Sequence, residues 1–212
     1  MRKIDWEMWI PLGVVVLLLV LAVLAKPAEA QGFQTDVMGF SQTGQWTRYV
    51  SVGWHSAARG GCSVEVYAGV QTTRPSFLTD RCWDAIDDSA TRVILNISSN
   101  ECNTTSVVCW ADRIRLVLLE IESRYPNVEM VVMEPVVGSN DGTTCGGVRA
   151  AINHPTVDEA IVAVLADPPA LGYVLASGLS PEVACSGYSD NKGHLNRNGG
   201  RAVASDMEDF HG

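Results

Sequence analysis

"VVCWADRIRLVLLEIESRYP", Val107 to Pro126, runs directly into "NVEMVVMEPVV", Asn127 to Val137, and this junction decides the fold class. In the first segment Trp110, Ile114, Val117, Leu118 and Ile121 recur at three- and four-residue intervals and so share one face of a helix. Pro126 has no amide hydrogen to continue that helix, and the chain breaks there. The second segment is short, apolar and rich in β-branched residues, the pattern of a strand.

Helix passing into strand recurs along the chain. Strands are predicted at Phe33 to Gly39, Cys62 to Gly69, Thr91 to Ser98, Asn127 to Val137 and Gly172 to Ser177. Further helices are predicted over "TVDEAIVAVLAD" (Thr156 to Asp167), with Thr, Asp and Glu at its start, and "NGGRAVASDMEDF" (Asn198 to Phe210). Such alternation implies an α/β protein with a mainly parallel five-stranded sheet covered by helices on both faces, a three-layer α/β/α arrangement.

The N-terminus reads differently. Arg2 and Lys3 precede an apolar run from Trp9 to Ala25, and Ala28, Glu29 and Ala30 precede Gln31. This is the layout of a secretory signal peptide over residues 1–30, with a mature chain from Gln31. An uncleaved membrane anchor is the alternative, and either way residues 31–212 are exported as a single domain, secreted or periplasmic. Of 15 basic and 24 acidic residues, three of each lie in the leader, so the formal charge of −9 belongs wholly to the remainder. That balance, without any basic run, disfavours a nucleic-acid partner. The six cysteines (Cys62, Cys82, Cys102, Cys109, Cys145, Cys185) all follow the leader, and an even number in an exported chain reads as up to three disulfides of undetermined pairing. With no C-x-x-C and four scattered histidines, no metal site is expected.

In parallel sheets ligands bind beyond the carboxyl ends of the strands, so the residues there are the candidates for chemistry. The first predicted strand leads to Gly39, Phe40 and Ser41, the second to Ala68 and Gly69, the third to Ser98, Ser99 and Asn100. Late in the chain "SDNKGHLNRNGG" puts His194 in a loop before the last helix. A serine hydroxyl needs a base to become a nucleophile, and a loop histidine has a suitable pKa. A side-chain amide and backbone N–H groups suit a developing oxyanion.

These blocks resemble the SGNH hydrolases, also called GDSL esterases and lipases. "GFSQTGQW" is similar to their G-D-S-x-T-x-G block, "YAGV" to the second, "SSNE" to G-x-N-D and "GHLNRNGGRAVA" to the histidine block, in the family's order across nearly all of residues 31–212. The resemblance implies an SGNH (flavodoxin-like) fold and a carboxylic ester hydrolase that needs no cofactor and acts on a small-molecule or polysaccharide ester. It implies Ser41 as nucleophile and oxyanion donor, Gly69 and Asn100 as further donors, and His194 as general base. Phe40 stands where the family has aspartate, Ser98 where it has glycine and Glu101 where it has aspartate. The family's triad acid lies three residues before the histidine, here Asn191; Asp190, one step further back, or a backbone carbonyl is left to orient the imidazole. A non-catalytic member of the same fold that binds a glycan or acyl ester is the alternative.

Several residues compete. "GSND" (Gly138 to Asp141) matches G-x-N-D more literally than "SSNE" but falls after the fourth strand. Ser56, beside His55, is expected at the end of the first helix, and His154 and His211 as solvated loop or tail residues. Trp54, Trp83 and Trp110 read as core packing, with sugar stacking as the alternative. Sequons occur at Asn96 and Asn103, the former inside a strand predicted to be buried.

Overall fold

The computed structural model describes residues 33–102, 106–142 and 144–212. The predicted signal segment and the Asn103 sequon lie outside them. Residues Phe33–Gly212 form one compact unit.

Strands β1 (Thr35–Met38), β2 (His55–Ser56), β3 (Arg92–Asn96), β4 (Met130–Glu134) and β6 (Val174–Ser177) make a five-stranded sheet in the order β2-β1-β3-β4-β6. Every pairing is parallel, with Thr35 beside Arg92, Arg92 beside Met130 and Met130 beside Val174. The central strands carry the continuous apolar runs that two covered faces require, and Val37, Met38, Val93, Ile94, Leu95, Val131 and Met133 are fully buried. A two-stranded parallel ladder joins β5 (Gly138–Ser139) to β7 (Glu182–Val183).

Among the described residues six α-helices cover the sheet: α1 (Ser41–Trp46), α2 (Val64–Tyr67), α3 (Phe77–Trp83), α4 (Val107–Arg124), α5 (Arg149–Ala166) and α6 (Arg197–His211). Alternate residues of a strand point to opposite faces, and the register sets Asp36 on the face opposite to Asn96. Thr43 on α1 donates to the Asn96 side chain at 2.6 Å, whereas Tyr125, at the end of α4, donates to Asp36 at 2.7 Å, so α1 and α4 lie on opposite sides. Helix α4 starts where Ser106 accepts the Cys109 amide, and it buries Trp110, Ile114, Val117, Leu118 and Ile121 as the sequence period requires. Truncating Ile114 to alanine would cost about 2–5 kcal/mol. Three disulfides, Cys62–Cys82, Cys102–Cys109 and Cys145–Cys185, fit an exported protein. Among the described residues no helix is long and apolar enough to cross a membrane.

Three expectations are corrected. Residues Cys62 to Gly69 are not a strand. Their alternating valines sit in the single helical turn α2, where Val64, Glu65, Val66 and Tyr67 are all buried, and the Val64 amide bonds to Ser98 rather than to a ladder. The second strand is instead β2, two exposed residues whose pairing with β1 no hydrophobic pattern announces, and it includes Ser56, placed by the sequence in a helix. His154 and His211 are not solvated: His154 lies within α5, which runs through Pro155, and bonds Ser180 at 2.9 Å, while His211 bonds the buried Glu134 at 2.6 Å.

Candidate functional site

The site is built where β1 turns into α1. Residues 39 and 40 make the turn, and Ser41 is the first residue of α1. Gly39 is required there, because a Cβ would lie 2.1 Å from the hydroxyl of Thr43, itself held by Asn96. Ser41 Oγ lies 2.9 Å from His194 Nε2, and His194 Nδ1 lies 2.6 Å from Asp190 Oδ2. Ser41, His194 and Asp190 therefore form one hydrogen-bonded chain, in which the His194 and Asp190 side chains are 31% and 38% exposed.

The histidine loop is held from both ends. Asp190 Oδ1 accepts the backbone amides of Lys192, Gly193 and His194 at 2.9, 3.1 and 3.1 Å. Partial burial raises the Asp190 pKa, but the bond from the His194 ring and the amides of His194 and Lys192 outweigh it and hold the carboxyl below its ordinary value. Gly193 has φ +102 and approaches Ala150 so closely that a Cβ would sit 2.2 Å from that residue's methyl. From α1, buried Gln42 donates to Gly193 O at 2.7 Å and accepts the Val137 amide at 2.9 Å; Gln45 accepts the Leu195 amide at 2.6 Å. The helix bearing the serine thus positions the loop bearing the histidine. Gln42 and Gln45 were missed by sequence reasoning; their spacing, three apart in the turn after Ser41, is the signal that places them on one helix face.

Ser41 and His194 open onto a cleft of about 590 Å³. Asn100 lines it, with its amide Nδ2 3.3 Å from Ser63 Oγ and its backbone N–H donated to the buried Glu65 at 2.6 Å. Gly69 does not line it. That residue ends α2 with φ +67, and its amide is already bonded to Val66 O at 3.1 Å. The glycines facing the cleft are Gly60 and Gly61, in the loop that follows β2, and among the described residues their amides donate to no protein acceptor. The displacement follows from the misplaced second strand: once β2 is His55–Ser56, the loop at its carboxyl end is Ala57 to Cys62, not Gly69. The literal G-x-N-D match lies at β5, away from the cleft, where the Asn140 amide bonds Val183.

Trp110 is buried and reaches the cleft floor, Trp83 is buried with its indole N–H on Tyr67 O, and Trp54 stands by His211. The sequence has no basic run, yet four cations from three separated segments, Arg74, Arg81, Arg149 and Lys192, line the cleft. Among the described residues the group of metal-ligating types is Asp141 with Cys145 and Cys185, whose sulfurs are joined to each other.

Searches with the whole chain found no matching protein-family model and no matching curated protein. A solved structure described as "a putative platelet activating factor from Streptococcus pneumonia" is similar in fold. It matches with a TM-score of 0.55 and 11% sequence identity over 93% of this chain and 98% of that one. At that identity the likeness extends to the α/β/α fold and no further.

Proposed function

We propose that this protein is an exported serine hydrolase of carboxylic esters of the SGNH type. The observation that carries the proposal is the continuous chain from Ser41 Oγ through His194 to Asp190 at the edge of the cleft. With Asp190 accepting from Nδ1, the imidazole is held in the tautomer whose Nε2 has a free lone pair toward Ser41. His194 takes the hydroxyl proton as Ser41 Oγ attacks the acyl carbon, then delivers that proton to the departing alcohol. A water activated by the same nitrogen releases the acid and frees Ser41. The tetrahedral oxyanion is stabilised by the Ser41 amide, the amides of Gly60 and Gly61, and the Asn100 side chain, each worth on the order of 10² to 10³ in turnover. The glycine donor proposed here differs from the Gly69 expected from the sequence, because the Gly69 amide is occupied. These steps draw on no metal or organic cofactor.

The test is hydrolysis of 4-nitrophenyl acetate and butyrate by the oxidised domain from Gln31, beside Ser41→Ala, His194→Ala and Ser56→Ala. Turnover that falls to background in the first two variants and persists in Ser56→Ala is expected. A folded domain whose turnover equals that of Ser41→Ala refutes hydrolysis and leaves the glycan- or ester-binding module as the better account.

A further inference from the structure

The cleft has a charge pattern at odds with the molecule around it. Residues 31–212 carry the whole formal charge of −9, yet no carboxylate lines the cleft beside Ser41, whereas Arg74, Arg81, Arg149 and Lys192 all do. Arg74 and Arg81 come from the segment around α3, Arg149 begins α5 and Lys192 belongs to the histidine loop, so the tertiary fold alone brings them together. Among the described residues none of the four is in ion-pair contact with a carboxylate, although Arg115 and Arg124 elsewhere are. Arg149 donates to Asn100 O at 3.2 Å; the side chains of Arg74 and Arg81 make no hydrogen bond to the described protein.

The nearby acids are already engaged. Asp190 is committed to His194 and three loop amides, and Glu101 accepts the amides and hydroxyls of Thr72 and Thr73, bonds that hold its pKa low against the opposing effect of partial burial. Two neutral polar residues also line the cleft: Ser98 is 7% exposed with a buried hydroxyl that has no partner, and Asn153 is 5% exposed and makes no side-chain hydrogen bond among the described residues. Unpaired cations around a cleft, with unpaired neutral polar groups inside it, are the complement of a polar, negatively charged ligand. A strongly acidic protein repels anions at long range, so a local cationic mouth is what admits one.

We infer that the substrate of the Ser41 site carries an oxyanion, a carboxylate or a phosphate, close to its scissile ester, held by Arg74, Arg81, Arg149 and Lys192. This rests on the ester-hydrolase proposal and names its substrate class. The carboxylate and phosphate forms share the recognising chemistry and are separated by the assay.

The experiment compares matched esters on the disulfide-bonded domain at low ionic strength. Mono-4-nitrophenyl succinate is set against its methyl ester, 4-acetoxybenzoate against its methyl ester, and 4-acetoxyphenyl phosphate against 4-acetoxyphenol. The anionic member of at least one pair is expected to show kcat/KM higher by about tenfold or more, with the advantage lost in about 0.5 M salt, where screening acts over a few ångströms. In Arg74→Gln/Arg81→Gln the ratio of anionic to neutral rates drops several-fold, and in Arg74→Glu/Arg81→Glu it reverses. Both side chains are exposed, and an unchanged thermal midpoint verifies folding. The pair that responds tells carboxylate from phosphate. Ser41-dependent turnover with equal rates within every pair, unmoved by these variants, overturns the anionic substrate and leaves ester hydrolysis standing. If no ester is turned over, calorimetric titration with monoethyl succinate, diethyl succinate and glycerol phosphate decides. Binding of an anion that the arginine variants abolish keeps the anion site without hydrolysis, and no binding overturns both.

Discussion

Replacing Asp190 by asparagine tests the proposed catalytic arrangement at its most specific point. Its two oxygens have different partners: Oδ1 receives three backbone amides between 2.9 and 3.1 Å, and Oδ2 lies 2.6 Å from His194 Nδ1. An asparagine must keep its carbonyl oxygen toward those three donors, which leaves its NH₂ facing Nδ1. Nδ1 then has to accept, the ring proton moves to Nε2, and a donor instead of a lone pair meets Ser41 Oγ. The productive tautomer would require turning the amide over and setting NH₂ against three N–H groups. Losing three such bonds at about 1–1.5 kcal/mol each costs roughly 3–4.5 kcal/mol. That corresponds to a fall of about 10² to 10³ in kcat, with loss of the carboxylate's charge stabilisation of the imidazolium taking the total toward 10⁴. The assay is steady-state hydrolysis of 4-nitrophenyl acetate at pH 7 to 8, with the thermal midpoint measured in parallel. A folded Asp190→Asn variant within about tenfold of the parent, under conditions where Ser41→Ala is inactive, would falsify the proposed role of Asp190 and point to a backbone carbonyl.

Other consequences concern stability. Burial, and secondarily the nearby positive Arg92, push His211 down to about 4, while burial raises Glu134, so burial opposes the charged form of each partner. Between about pH 6.5 and 4 the unfolded chain binds a proton at this histidine that the folded chain refuses, so the His211 contribution is lost as pH falls through that window, by about 3 kcal/mol. Denaturant titrations of parent and His211→Gln from pH 7 to 4 should show their stability difference shrinking by that order, and parallel curves would contradict it. Gly178→Ala puts a Cβ 1.8 Å from Glu134 Oε1, which the Leu179 amide pins at 3.0 Å, and 2.7 Å from Val132 Cγ1. A loss of about 1–3 kcal/mol is expected in urea unfolding, and a neutral result would show that this strand end yields. Removing Cys145–Cys185 as a double alanine variant opens a loop with a sequence separation of 40, and chain entropy puts the cost at about 4 kcal/mol, read as a lower midpoint under non-reducing conditions.

The sequence by itself determined the layering and singled out three residues, Ser41, Asn100 and His194, that line one cleft. Trp110, Ile114, Val117, Leu118 and Ile121 repeat over enough turns that only one helix face fits them, and the runs in β3 and β4 are apolar enough to require a sheet covered on both sides. Ser41, Asn100 and His194 were legible because each follows or precedes a strongly patterned element, so its position relative to the sheet edge was set in advance. Only the tertiary structure placed Gly60 and Gly61, and not Gly69, along the cleft. Strand β2 is two exposed residues held by pairing with Asp36 and Val37, a long-range contact that leaves no period in the sequence, whereas Val64 and Val66 alternate like a strand and form a buried helical turn. His154 and His211 acquired partners, Ser180 and the buried Glu134, for the same reason: nothing local to either residue records what a distant segment will pack against it. The cationic mouth likewise belongs to the fold, since four residues drawn from three separated segments become neighbours only when the loops after the parallel strands meet at one end of the sheet.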